Sequence, residues 1–199
     1  SHKPQTTRNK ITSILTKDDF QCVFLDTPGI HKPKSKLGEY MVRSAETTFN
    51  EVDLVLMLIE PTTEVGAQDQ YVLERIKNAK APVVLVINKI DRVERDTLLE
   101  VIATYSKLHN FAEVVPISAM KDRNTDELLN VIRKYLPEGP QYFPGDMVTD
   151  QPERQIAAEI IREKLLRTLN KEIPHGTAVV IEEFKDEDTL IRIRAEIFC

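Results

Sequence analysis

The sequence predicts an α/β fold of three layers, a parallel sheet between helices, followed by a shorter α-β-β unit. Three observations carry this. Residues 54–59 (LVLMLI) and 83–87 (VVLVI) are short, unbroken apolar runs, the pattern of strands buried on both faces of a parallel sheet. Helix-period segments near 67–79, 95–108 and 124–135 alternate with such runs, as crossover connections between parallel strands require. Proline and glycine then crowd residues 137–149 (PEGPQYFPGDMVT) and divide the chain in two.

The elements follow in order. Residues 10–17 (KITSILTK) and 20–26 (FQCVFLD) are β-rich runs on either side of Asp18-Asp19 and read as a hairpin. A helical pattern near 38–50 precedes the strand at 54–59. After the helix at 67–79, the strand at 83–87 and the helix at 95–108, residues 113–117 (EVVPI) form a further strand. The helix near 124–135 sets Leu128, Leu129, Ile132 and Leu136 at helical spacing. Beyond the linker a helix is expected from Asp150, with Asp150 as cap, Pro152 in the first turn and Glu153 closing an Asp-x-x-Glu box. Ile156, Ile160, Leu165 and Leu169 predict one apolar face for it. Gly176 precedes a strand at 177–184 (TAVVIEEF), and 185–189 make a polar turn. The last strand alternates, with Ile191, Ile193, Ala195 and Ile197 facing one way and Arg192, Arg194 and Glu196 the other. The expected division is 1–137, a linker at 138–149, and a second unit at 150–199 that is short for an independent core.

Composition narrows the function classes. Hydrophobic residues make up 41% of 199, too many for a disordered chain. Lys and Arg number 27 against 32 Asp and Glu, a net charge of −5, which excludes a globally basic nucleic-acid binder. Residues 1–36 nevertheless carry seven Lys/Arg and three Asp; a solvated basic surface and a polyanion site both fit this. Two cysteines, Cys22 and Cys199, make neither a disulfide scaffold nor a zinc module, and suit a reducing cytosol. No apolar run approaches 18 residues, so no membrane-spanning helix is expected. Ser1 in place of Met, and an apolar strand pattern running to Cys199, read as cut ends.

Four short segments carry chemistry. Asn88-Lys89-Ile90-Asp91 directly follows the buried strand at 83–87, at the strand end where α/β sheets bind ligands. This loop suits guanine. The Asp91 carboxylate can accept from the ring N–H and the exocyclic amine, donors that adenine does not present at that edge. The Asn88 amide can reach ring N7, and the Lys89 stem can lie on the base or sugar. A plain polar loop is the alternative. Asp26-Thr27-Pro28-Gly29 ends the strand at 20–26. Asp26 there can hold Mg²⁺ through a water, and the Gly29 N–H can meet a γ-phosphate; the alternative is a Pro-Gly turn. Ile117-Ser118-Ala119 ends the strand at 113–117, and its small residues let the Ala119 N–H approach the guanine carbonyl oxygen. Pro4-Gln5-Thr6-Thr7-Arg8 precedes the first strand and offers a switch threonine, Thr6 or, preferably, Thr7, as a Mg²⁺ ligand; an N-terminal tail is the alternative.

Taken together, QTTR, DTPG, NKID and ISA resemble the second to fifth motifs of a Ras-like P-loop GTPase domain of the translation-factor-related class, over residues 1–136. HKPQTTRNKI, FLDTPGIHKPK, KAPVVLVINKID, VVPISA and VTDQPERQIAAEIIREKLL are similar, across essentially the whole chain, to the Era family of bacterial GTPases. The resemblance implies a GTPase domain joined to a type II KH domain, of which residues 150–199 are the start. It implies GTP and GDP with Mg²⁺ as ligands, hydrolysis of GTP, binding of 16S ribosomal RNA near its 3′ end, assistance in 30S subunit assembly, and a monomer. A cytoplasmic location is implied, with peripheral contact at the inner face of the cell membrane in some members. By position, Asn88, Lys89, Ile90, Asp91, Ser118 and Ala119 would surround the base, and Asp26, Thr27, Pro28, Gly29 and Ile30 the γ-phosphate side. Asp26 and Thr7 would serve Mg²⁺. Ile30 stands where signalling relatives place a water-orienting Gln, which implies slow intrinsic turnover.

Two departures accompany the matches. No Gly-x-x-x-x-Gly-Lys-Ser/Thr occurs in the 199 residues, and no Gly-x-x-Gly. The phosphate loop is expected upstream of Ser1 and the RNA-clamping loop downstream of Cys199, so this stretch alone is expected to bind GTP weakly. A non-hydrolysing guanine-binding or RNA-binding scaffold module is the other reading.

Overall fold

A computed structural model describes residues 11–26, 51–168 and 177–198. Strands β3 (Val55–Ile59), β4 (Val83–Ile87) and β5 (Glu113–Pro116) form a parallel sheet in the order β3-β4-β5. The register runs from Val55↔Val83 to Ile59↔Ile87 and from Val84↔Glu113 to Ile87↔Pro116. All three strands therefore end at one edge, which positions the loops that follow them. The central strand is buried along its whole length, as its unbroken apolar run predicts.

The two faces of β4 belong to two cores. On one, Val83, Leu85 and Ile87 join Val55, Met57 and Ile59, covered by Leu73 and Ile76 of α1 (Ala67–Ile76) and by Val101 and Tyr105 of α2 (Arg95–Ser106). On the other, Val84 and Val86 meet Val115, Ile117 and Val131 of α3 (Thr125–Tyr135). This is the three-layer arrangement the alternation predicts. Within α3 the deepest residues are Val131 and Ile132, while Leu128, Leu129 and, just past its end, Leu136 are half-buried. The expected helix near 38–50 lies outside the described residues.

Strands β1 (Ile11–Thr16) and β2 (Gln21–Asp26) pair antiparallel as the expected hairpin, closed by Lys17 N–H to the Phe20 carbonyl at 2.9 Å. Among the described residues this hairpin is not hydrogen-bonded to β3–β5. The linker grips it instead. The Ile14 N–H donates to Val148 O at 2.8 Å, and Thr149 Oγ1 donates to Thr12 O at 2.6 Å. Gln21 completes the grip: its Nε2 donates to Phe143 O at 3.0 Å, and its Oε1 accepts from the Tyr142 and Phe143 N–H groups at 3.1 and 3.0 Å.

The second unit comprises α4 (Glu153–Thr168) and an antiparallel pair, β6 (Ala178–Glu187) and β7 (Leu190–Phe198). The helix starts later than expected. The Pro152 carbonyl accepts its first hydrogen bonds, from Gln155 and Ile156, while the Asp150 carboxylate takes one from Gln151 Nε2. Its expected apolar face is also only partly formed. Ile160 is exposed, and Arg162 is buried instead, paired with Glu159 Oε2 at 2.5 Å. In β7 the register keeps the predicted alternation: Ile193 lies beside Phe184, Ala195 beside Ile181 and Ile197 beside Val179. The large apolar residues of that strand are nonetheless half-exposed. Among the described residues, no helix is long and apolar enough to cross a membrane.

Candidate functional site

The candidate site is built where β4 and β5 end. The strand ladder continues one residue past each strand: the Asn88 N–H donates to Ile59 O at 2.9 Å, and the Ile117 N–H to Ile87 O at 2.8 Å. The loops at 88–91 and 117–119 are thereby anchored to one sheet edge before they turn.

Side chains then tie the loops together. Asn88 Oδ1 accepts two backbone hydrogen bonds, from the Lys89 N–H at 2.8 Å and from the Ala119 N–H at 3.1 Å. With its oxygen turned to those donors, Asn88 presents its Nδ2 donor elsewhere, the polarity a purine N7 acceptor requires. Lys89 has φ 68° and ψ 33°, the left-handed region, which costs a non-glycine residue about 1–2 kcal/mol. The bond from its N–H to Asn88, and that from the Ile90 N–H to Ile117 O at 3.2 Å, hold it there. Ile90 is buried in the core below, so the loop has an apolar anchor.

Ser118 is fully buried, and its Oγ donates to Asp91 Oδ1 at 2.5 Å. That bond holds the Asp91 carboxyl below the usual carboxylate range, helped by the charges of Arg92 and Lys121. Asp91 is exposed and ionised at neutral pH, and a carboxylate offers about four lone-pair positions. One oxygen is oriented by Ser118, and acceptor capacity remains for a ligand with paired donors. Ser118 is itself fixed by a closed backbone pair with Arg123, 3.0 Å in each direction.

The structure thus brings Asn88, Lys89, Ile90, Asp91, Ser118 and Ala119 into one cluster. The Ala119 N–H, which the sequence reading aims at a guanine carbonyl oxygen, is bonded to Asn88, so a ligand oxygen there shares that donor. Asp26 is exposed at the carboxyl end of β2. Thr6, Thr7, Thr27, Pro28, Gly29 and Ile30 lie outside the described residues. Among the described residues no group of three or more acidic, His or Cys side chains is arranged to hold a metal. Mg²⁺ held mainly by phosphate and water needs only one or two protein oxygens, and Asp26 has the hard oxygen chemistry it takes.

Three contributors escape sequence reading. Glu60, at the end of β3, forms an ion pair with Lys89 Nζ. Arg123 acts through its backbone. Asn124, at φ 60°, donates from Nδ2 to Pro116 O at 2.9 Å and so shapes the turn into α3. Only Asn124 leaves a trace in sequence: Asp122 and Asn124, both in the left-handed region, are residue types that tolerate it.

A family model for 50S ribosome-binding GTPases matches residues 1–89. GTPase Era of Clostridium perfringens (strain 13) is 53% identical over 200 residues, an alignment covering 100% of this chain and 68% of that protein. GTPase Era of Clostridium kluyveri is 52% identical, with the same coverage. Among solved structures, Aquifex aeolicus Era bound to GDP·AlF4⁻ superposes with a TM-score of 0.88 at 40% identity, covering 99% of this chain and 68% of that one. Era in complex with MgGDPNP and nucleotides 1506–1542 of 16S ribosomal RNA superposes at 0.89, with the same identity and coverage. The elongation factor SelB of Methanococcus maripaludis, 19% identical with a TM-score of 0.53, shares the fold over 68% of this chain. The class these define is the Ras-like GTPase fold. Within it, the chain belongs to the GTPase Era family.

Proposed function

We propose that the protein binds and hydrolyses GTP with Mg²⁺, binds 16S ribosomal RNA and assists assembly of the 30S subunit. The observation that carries the nucleotide site is the Ser118–Asp91 bond, which presents an ionised, oriented carboxylate at the sheet edge beside the Asn88 amide. Asp91 selects guanine through its ring N–H and exocyclic amine, Asn88 reaches N7, the Lys89 stem lies along the base or sugar, and Ile90, Ser118 and Ala119 complete the surround. Asp26 and Thr7 hold Mg²⁺, which neutralises phosphate charge, with Thr6 the other candidate switch threonine, and Thr27, Pro28, Gly29 and Ile30 form the γ-phosphate side. Ile30 has no hydrogen-bonding group with which to orient water, so turnover is slow.

In the same reading residues 1–137 form the GTPase domain, 138–149 the linker and 150–199 the beginning of a KH domain. The protein works as a monomer in the cytoplasm, with peripheral contact at the inner face of the cell membrane. Phosphate release from GTP and ATP, and retention of an RNA copy of the 16S 3′ end, test this on the full-length protein. The expected result is slow hydrolysis of GTP alone, with saturable RNA retention. Hydrolysis of ATP at the same rate, or no preference for that RNA over an unrelated strand, would overturn it.

A further inference from the structure

Lys89 is held at both ends. Its backbone N–H is bonded to Asn88 Oδ1 at 2.8 Å, and its ammonium is paired with the Glu60 carboxylate across 29 residues of sequence. We propose that Glu60 is a positioning residue, which acts through Lys89 to keep the lysine stem laid out as the surface that receives the guanine nucleoside. The inference rests on the guanine-site reading above and adds to it a residue outside the base-recognition loops.

The geometry follows from the sheet. Ile59 and Ile87 are register partners at the ends of β3 and β4, so the next residue of β3 and the loop after β4 emerge side by side. Glu60 precedes Pro61, which is buried, and a residue before proline is biased to extended backbone. That bias continues the line of β3 and carries the carboxylate toward Lys89. The lysine side chain is 29% exposed while Glu60 is 58% exposed, so the long cation is drawn onto the protein and the short anion faces water. Asp91, the other acid close to Lys89 in sequence, has its Oδ1 engaged by Ser118.

The consequence for binding is preorganisation. A lysine side chain carries among the largest rotamer entropies, and a site that must freeze it on association loses affinity. An ion pair already in place moves that ordering into the empty protein. It also neutralises the ammonium, so that the stem and not the charge meets the ligand. Because this surface serves base and sugar, GDP and GTP are affected alike.

The test is the dissociation rate of a fluorescent GDP derivative from the full-length protein, in a cycle of Glu60→Gln and Lys89→Met with melting temperatures recorded. Glu60→Gln is expected to speed dissociation about threefold, the scale of a partly exposed ion pair, with an unchanged melting temperature. In the Lys89→Met background the same substitution is expected to change nothing. No acceleration in the parent background, or equal acceleration in both, would overturn the inference. Asp91→Asn, run in parallel, separates the two levels. If it leaves guanine preference intact, the site reading itself falls. If it abolishes that preference while the Glu60 cycle fails, the positioning role alone falls.

Discussion

Ser118 Oγ and Asp91 Oδ1, 27 residues apart in sequence, are joined by a 2.5 Å hydrogen bond across the ends of two neighbouring strands. The serine is fully buried and the aspartate exposed, so the bond fixes a surface carboxylate to the interior. Such a carboxylate recognises donors without first having to be ordered.

Its lowered pKa sets a pH dependence. Asp91 titrates below its unfolded value of about 3.9, so its interaction is fully present above that value and is lost as pH falls through the lower folded one. GDP affinity should stay level from pH 8 to about 5. In Ser118→Ala the carboxyl moves back up and the acid loss of affinity begins at a higher pH. Fluorescence titration of GDP across this range, with circular dichroism to confirm folding, reads the difference. Coincident profiles would remove Ser118 from this role.

Asn88→Ala deprives the Lys89 and Ala119 N–H groups of their shared acceptor. The exposed Ala119 N–H can turn to water, but leaving the part-buried Lys89 N–H unmet costs about 1–3 kcal/mol, and the left-handed Lys89 loses a restraint. Urea unfolding should show a loss in that range, and nucleotide affinity should fall at least about tenfold. Retained affinity would mean that the two loops are held by the sheet alone.

Gln21→Ala removes three hydrogen bonds between the hairpin and residues 142–143. Each is worth about 0.5–1.5 kcal/mol net. The expected readout is faster hydrogen exchange at the Tyr142 and Phe143 amides, with nucleotide affinity unaffected. Unchanged exchange there would show that Val148 and Thr149 grip the hairpin unaided.

Tyr105 is fully buried beneath the sheet, and its hydroxyl donates to Asp69 Oδ2 at 2.7 Å, linking α2 to the first turn of α1. Burial pushes the phenol pKa up, so it remains a donor throughout the physiological range. Tyr105→Phe should cost about 1 kcal/mol in urea unfolding without altering guanine preference. A neutral substitution would mean that Asp69 finds water in its place.

Much of this was legible in sequence because it rests on periodicity. The unbroken run at 83–87 allows only a doubly covered strand, and the Asp-Asp turn between β-rich runs leaves little but a hairpin. The clustering of Asn88, Asp91 and Ser118 follows once three parallel strands end at one edge. Side-chain pairing across strands was not legible. Nothing in the order of residues announces that Glu60 reaches Lys89 or that Gln21 binds the linker, since both depend on register. The second unit misled for a related reason. Helical spacing marks Ile160 as interior, but an apolar position is buried only where a neighbour covers it, and Arg162 paired with Glu159 takes the buried place.

The central claim, that Asp91 reads guanine, is tested most directly by calorimetric titration of full-length Asp91→Asn with GTP and with xanthosine triphosphate. An amide presents a donor where the carboxylate accepted, and xanthine presents an acceptor where guanine has its amine. The account predicts a loss of at least about a hundredfold in GTP affinity and a gain in xanthosine triphosphate affinity over the parent protein. Undiminished GTP affinity, with xanthosine triphosphate still rejected, would contradict it.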